Sequence, residues 1–299
     1  MAILRAAALF LLAPFVQGLI QGLKARIQGR RGPGLLQPYF TLAKSWRRQD
    51  VRPAASSSVF VAAPRVVLGL VIAAACAVPL FGAVPGGWSG DFLVLVGLLA
   101  AERFVMGLAG LDQGTPFAGM GASRLAVVGT LVEPAFFALA LPFATRSGST
   151  AWGALLLASR DTPVAGAVRL FVAAAGLMVV LAETGRLPVD NPDTHLELTM
   201  IHEAVLLEYS GPQLAMLSLA QMARQLLVIA AVGDLLLPWS PAGVLAPVLA
   251  AGTWLTFAAL LAVAESLSAK VRFFRLPSYL GTAVALASAA AVLQVWGVR

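Results

Sequence analysis

The stretch Val59–Gly82, VFVAAPRVVLGLVIAAACAVPLFG, holds 24 residues and one charge, Arg65. A helix rises about 1.5 Å per residue, so about 20 apolar residues cross roughly 30 Å of hydrocarbon. Seven more windows of this kind occur, at about 3–23, 89–111, 123–145, 164–183, 212–236, 243–267 and 276–297. The expected fold is an all-α integral membrane protein of about eight transmembrane helices. It forms one polytopic domain over residues 1–299. Composition agrees, with 59% apolar residues, 12% charged residues and a mean hydropathy of +0.86. Soluble domains hold about half apolar and a quarter charged residues.

The net charge of +7 follows the topology. Thirteen of the 21 basic residues fall in the first, third, fifth and seventh loops: Lys24, Arg26, Arg30, Arg31, Lys44, Arg47, Arg48, Arg52, Arg124, Arg186, Lys270, Arg272 and Arg275. Only Arg5, Arg146, Arg160 and Arg299 lie at the termini or in the even loops. The positive-inside rule then puts the odd loops in the cytoplasm and both termini outside. Basic residues so placed call for no nucleic-acid partner. The first span is expected to be a retained anchor, because Lys24-Ala25-Arg26 follows it where a signal peptide would have small residues.

Loop one opens on a Gly/Pro-punctuated turn, Gly29-Arg30-Arg31-Gly32-Pro33-Gly34. Leu36, Tyr39 or Phe40, Ala43 and Trp46 then recur at helical spacing, with Lys44, Arg47 and Arg48 on the other side. That pattern fits an amphipathic helix lying in the interface, its apolar face among membrane lipids. It would serve as a lipid-surface helix or as a docking platform.

Titratable groups gather in Glu183–Gly211, which holds six of the 14 acids and both histidines. They are Glu183, Asp190, Asp193, Glu197, Glu203 and Glu208, with His195 and His202. Asp193–Tyr209 has the residue mix of a helix, on which His195, Thr199 and His202 would share one face. Glu102, Arg103, Glu133, Arg224 and Glu265 fall inside spans. A charge at mid-bilayer costs roughly 2.5–3.5 kcal/mol, so such groups face a protein interior, a partner charge or water. They would form internal ion pairs, for instance Glu133 with Arg224, or a proton relay. Pro134 after Glu133 would open a polar gap in mid-helix.

Other chemistries are excluded. Cys76 is the only cysteine, which leaves no disulfide framework and no cysteine-ligated cluster. His202-Glu203 begins like a zinc-protease helix, but Leu206 stands where the second histidine belongs, so no metal site is expected. Gly119-Met120-Gly121 lacks the rest of a dinucleotide fingerprint. There is no serine-hydrolase elbow and no phosphate loop. No self-contained active site emerges, and redox chemistry would belong to partner subunits.

Gly29-Arg30-Arg31-Gly32-Pro33-Gly34-Leu35-Leu36-Gln37-Pro38-Tyr39 resembles a signature of the eight-helix subunit of respiratory complex I (the NuoH type). Glu183, Arg186, Pro188 and Asp190, followed by Glu208-Tyr209-Ser210-Gly211, resemble that family's fifth loop. Val189, Asn191–Thr199, Gly110–Phe117, Gly121–Arg124 and Glu133-Pro134 are similar to its hydrogenase branch, the membrane subunit of formate hydrogenlyase and energy-converting hydrogenases.

The resemblance implies a coupling subunit in a prokaryotic plasma (inner) membrane. Its partners would be a Ni-Fe-type large subunit, an Fe-S small subunit, a ferredoxin-like subunit and antiporter-like membrane subunits. It would carry no cofactor itself; the Fe-S clusters and Ni-Fe centre would be the partners'. Arg30, Arg31, Gly32, Pro33, Gln37, Tyr39, Arg186, Pro188, His195 and His202 would meet the redox arm. Glu183, Glu133, Glu102, Glu208, Glu203, Glu197, Asp190, Arg224 and Glu265 would carry protons (or answer to sodium). The alternative is a quinone-site subunit of an NADH:quinone-type dehydrogenase. An independent ion carrier is a third reading, without the inverted repeat it would favour.

Overall fold

The computed structural model describes residues 2–53, 56–80, 84, 86–160, 165–190, 201–237 and 246–297. Every regular element among them is helical: α1 Ala2–Ile27, α2 Gln37–Trp46, α3 Ser58–Ala77, α4 Phe92–Asp112, α5 Pro116–Ala138, α6 Leu141–Ser147, α7 Trp152–Arg160, α8 Ala165–Glu183, α9 His202–Leu206, α10 Gly211–Leu236, α11 Ala246–Leu267 and α12 Leu276–Trp296. Seven are long and apolar enough to cross a membrane, and α5 with α6 makes an eighth span bent by 42°.

Local chemistry sets these boundaries. Ser57 and Asp91 cap α3 and α4 by accepting hydrogen bonds from Val59 N and Leu93 N. α3 stops at Ala77, short of the expected residue 82, because Pro79 forces Val78 into extended backbone (ψ 143°). The fourth span breaks at Leu139–Ala140, not at Pro134. Pro134 is absorbed inside α5, whereas Pro142 removes the N–H that would continue the helix past Ala138. α7 has no counterpart in the sequence expectations. Its Trp152 is fully buried, edge-on to Phe92 at 5.2 Å, and Phe92 meets Phe136 in the same way at 5.3 Å.

The interfacial helix is present as α2. Phe40 and Trp46 stand outward while the Tyr39 hydroxyl donates inward to Leu11 O. Of the expected helix over 193–209, only α9 lies among the described residues, and Asp193, His195, Glu197 and Thr199 fall outside them.

α10 is the central post, packed against α1, α2, α3, α7, α8 and α11. It buries 72% of its apolar window, against 28–50% for the other spans. The odd loops meet at one end of the bundle. Ser210 Oγ exchanges hydrogen bonds with Val51 N and O, and the Tyr209 ring stacks on Phe60 at 4.1 Å while its hydroxyl donates to Phe60 O. Asp112 accepts from the N–H groups of Ser57 and Phe60, and Val271 N donates to Pro188 O. Loop one crosses α1 at Gly18, where a Cβ would sit 2.2 Å from Leu35 O. Only glycine admits so close a crossing.

Candidate functional site: two buried charge arrays around a polar cavity

The site begins where α8 ends. Gly185, at φ +60°, closes the helix with the paired bonds Arg186 N to Leu181 O and Gly185 N to Ala182 O. This left-handed glycine cap reverses the chain. Glu183 is thereby left on the last helical turn and Arg186 is turned back into the bundle. Both are buried, at 2% and 7% exposure.

The first array spans α4, α5, α8 and α10. Arg224 Nη1 donates to Glu102 Oε2 at 2.7 Å, and its Nη2 donates to Glu183 O. Arg103 Nη2 lies 3.2 Å from Glu183 Oε1 and 3.9 Å from Glu133 Oε1. The pairing of Glu133 with Arg224 is therefore not formed, since Glu102 takes Arg224 and Glu133 sits beside Arg103. Glu133 is 37% exposed at the side chain and opens onto the flank of the bundle. Glu183 Oε2 and Arg103 Nε are buried without a hydrogen-bond partner.

The second array joins α1, α11 and loop five. Arg186 donates to Glu265 Oε1, Gln17 Oε1 and Gln225 Oε1, and Lys24 Nζ reaches Glu265 Oε2 at 3.1 Å. Lys270 Nζ donates to Asp190 Oδ1 at 2.8 Å, and His202 Nδ1 lies 3.7 Å from Asp190 Oδ2. Asp190 Oδ2 also accepts from the N–H groups of Ile201 and His202. Burial by itself would raise the Asp190 carboxyl, but His202 and Lys270 outweigh it and hold the group at about 2. Burial, with Asp112 nearby, pushes the Tyr209 phenol above its ordinary value.

Between the arrays lies a cavity of about 690 Å³, open at the loop-one end. Its wall is mostly charged and amide: Gln17, Gln21, Lys24 and Gln28 from α1, Ser218, Gln221, Arg224 and Gln225 from α10, with Arg186, Asp190, His202, Glu203 and Glu265. Arg30, Arg31, Gly32 and Pro33 form its rim. A second, water-sized cavity of about 20 Å³ touches Glu102, Arg103, His202, Gln221 and Arg224. Such a lining suits water and protons; a small-ligand pocket is mostly apolar with a few polar groups. Among the described residues, no three of His, Cys, Asp and Glu converge as a metal ion requires.

Sequence reasoning and geometry overlap unevenly. Glu102, Glu183, Arg224, Asp190, Glu203 and Glu265 meet at the arrays and the cavity. Glu208 is half-buried and does not line the cavity. Arg186 and His202, expected at a partner surface, point into the bundle, and Pro188 binds loop seven through its carbonyl. Gln37 is exposed at the start of α2. His195 and Glu197 lie outside the described residues. Gln17, Gln21, Gln221, Gln225, Lys24 and Lys270 had not been singled out. The signal was available: Gln17, Gln21, Lys24 and Gln28 recur at i, i+4, i+7 and i+11, as do Ser218, Gln221 and Gln225 at i, i+3 and i+7.

Residues 1–296 match the family described as NADH dehydrogenase. The chain belongs to that family, in its subunit 1 branch. This member is 34% identical over 245 residues to hydrogenase-4 component C of Escherichia coli (strain K12), covering 81% of this chain and 76% of that one. It is 34% identical over 239 residues to formate hydrogenlyase subunit 4 of the same strain, covering 79% and 77%. An NADH-quinone oxidoreductase membrane protein of Salinibacter ruber is 28% identical over 240 residues, covering 73% and 67%. The fold matches a chain of the membrane-bound sulfane sulfur reductase, an archaeal respiratory membrane complex, with a TM-score of 0.80 over 98% of this chain and 99% of that one. At 18% identity that likeness speaks to the fold alone. This family member is a multi-pass membrane protein of the kind found in hydrogenase and complex I-like assemblies.

Proposed function

We propose that this chain is the membrane-anchor and coupling subunit of a multisubunit hydrogenase-type complex in a prokaryotic inner membrane. It links events at the loop-one end to proton (or sodium) movement through its buried carboxylates. The observation that carries this reading is the pair of arrays on either side of one polar cavity. Buried charges are expensive, and two networks of them in a membrane bundle are most simply understood as functional. Protons entering the cavity meet Asp190, Glu203 and Glu265 first, then Arg224 with Glu102 and Glu183. Arg103 carries the array on to Glu133, at the flank where further membrane subunits of antiporter type would pack.

The two E. coli relatives support the hydrogenase setting, in which a Ni-Fe-type large subunit, an Fe-S small subunit and a ferredoxin-like subunit would cover the odd loops. Those partners would hold the redox centres. The charge bias of the loops supports both termini lying outside. The cavity has room for a quinone head, but its charged and amide wall fits that ligand poorly.

The test is the intact complex carrying Glu183→Gln, a neutral change of nearly the same shape. Assembly and redox turnover in detergent should persist, while protons moved per turnover in liposomes fall by about tenfold or more. Normal proton movement with full turnover would remove Glu183 from the relay.

A further inference from the structure

His202 stands where the two cavities come closest. Its ring lines the large cavity together with Asp190 and Glu203, and it lines the water-sized cavity together with Glu102 and Arg103. Gln221 and Arg224 are the only other residues common to both walls. Of these three, the guanidinium is fixed on Glu102 and Glu183, and an amide does not exchange charge. Imidazole alone gains and loses a proton near neutral pH through two distinct nitrogens.

The ring is also held in place. Any Cβ on Gly185 would lie 2.4 Å from His202 Nδ1, so the imidazole rests flush on the left-handed cap of α8. Nδ1 is buried with no hydrogen-bond partner, 3.7 Å from Asp190 Oδ2. A cavity of about 20 Å³ holds one water, which needs two to four polar partners. Glu102, Arg103, Gln221, Arg224 and the imidazole offer more than that, and buried Arg103 Nε has no partner in the chain.

We infer that His202 is the proton-exchanging partition between the open cavity and the Glu102–Arg224–Glu183 array. The step moves one proton and no electrons. The neutral ring takes a proton from water on one side at its free nitrogen. It then releases the proton on its other nitrogen to water on the far side, ending as the opposite tautomer. Reversal of the tautomer, by ring rotation or by back-exchange, resets it. On the cavity side the charges facing the ring are Asp190, Glu203, Arg186 and, through Asp190, Lys270. On the array side they are Glu102, Arg103 and Arg224. A cation formed on the ring is thus met by carboxylates on both sides. This inference rests on the relay reading above.

The test uses the intact complex in liposomes with an internal pH dye, with reduced methyl viologen as electron donor. His202→Gln and His202→Gly should assemble and turn over in detergent, yet move about tenfold fewer protons per turnover. Added imidazole, entering through the open cavity, should restore His202→Gly and leave His202→Gln unchanged. Substituted imidazoles should shift the pH profile of the restored flux with their own pKa, which a merely structural role would not do. Should His202→Gly fail to assemble, His202→Gln decides by itself. Wild-type protons per turnover in His202→Gln, or a loss in His202→Gly that no imidazole restores, overturns the inference. Loss in Glu102→Gln and Glu183→Gln without loss in His202→Gln sinks the partition alone. Wild-type values in both acid variants would sink the relay reading itself.

Discussion

The two halves of α10 are made of the same helix and obey opposite rules. From Gly211 to Gln225 it carries Gln213, Ser218, Gln221, Arg224 and Gln225, and all but Gln213 line the cavity. From Leu226 to Leu236 it carries one polar residue, Asp234, and is packed as an apolar core. The first half gathers charge from every neighbouring helix, whereas the second is met by Val172, Ala175, Ala258 and Leu261. The polar half is satisfied by partners, which makes each member costly to remove alone. The apolar half holds the bundle by shape. Function and stability are therefore separable along one helix.

The hardest blow to that division should come from Arg224→Leu, which strands Glu102 in the interior. Breaking one side of a buried pair costs about 3–5 kcal/mol. Thermal unfolding of the purified complex should show a large loss, most of it recovered in Arg224→Leu with Glu102→Gln. An unrecovered double variant would mean that Arg224 acts through packing. Trp152→Ala tests the other half, with a loss of about 3 kcal/mol from the buried ring. Protons moved per turnover should hardly change, and a coupling defect there would blur the two regions.

Asp190 offers a finer cut, because its carboxyl is held at about 2 in the folded chain against an ordinary 3.8. The depressed value contributes on the order of 2 kcal/mol of stability. That contribution is whole above about pH 4 and is lost as pH falls toward 2. Asp190→Asn should therefore be less stable near neutral pH, and its stability should lack this acid-dependent part in denaturant titrations. The smallest effect is expected for Tyr39→Phe, which removes one hydrogen bond to Leu11 O for about 1 kcal/mol and leaves proton movement alone.

The membrane fold was legible because hydrocarbon imposes length and composition on each span, and α1, α4, α8, α10 and α12 fall where the apolar windows do. The bend at Leu139–Ala140 was harder, since Pro134 and Pro142 compete in sequence and only packing shows which one the helix tolerates. α7 is short and moderately apolar, so its existence depends on the pocket that Phe92 and Phe136 make for Trp152. In the site, the acids announced themselves by being charged in an apolar setting. The glutamines of α1 and α10 did not, because an isolated amide is common in a helix. They become a wall only when two polar stripes from distant parts of the chain face each other. His202 was visible as a residue, but its place behind Gly185 required the fold of the α8 cap.

The most direct test of the central claim is the number of protons moved per redox turnover by the intact complex in liposomes, for wild type, Glu102→Gln and Trp152→Ala. The account predicts a fall of about tenfold or more in Glu102→Gln, with turnover in detergent retained, and no change in Trp152→Ala. Equal values in all three would show that the buried array around α10 holds the structure together and carries no protons.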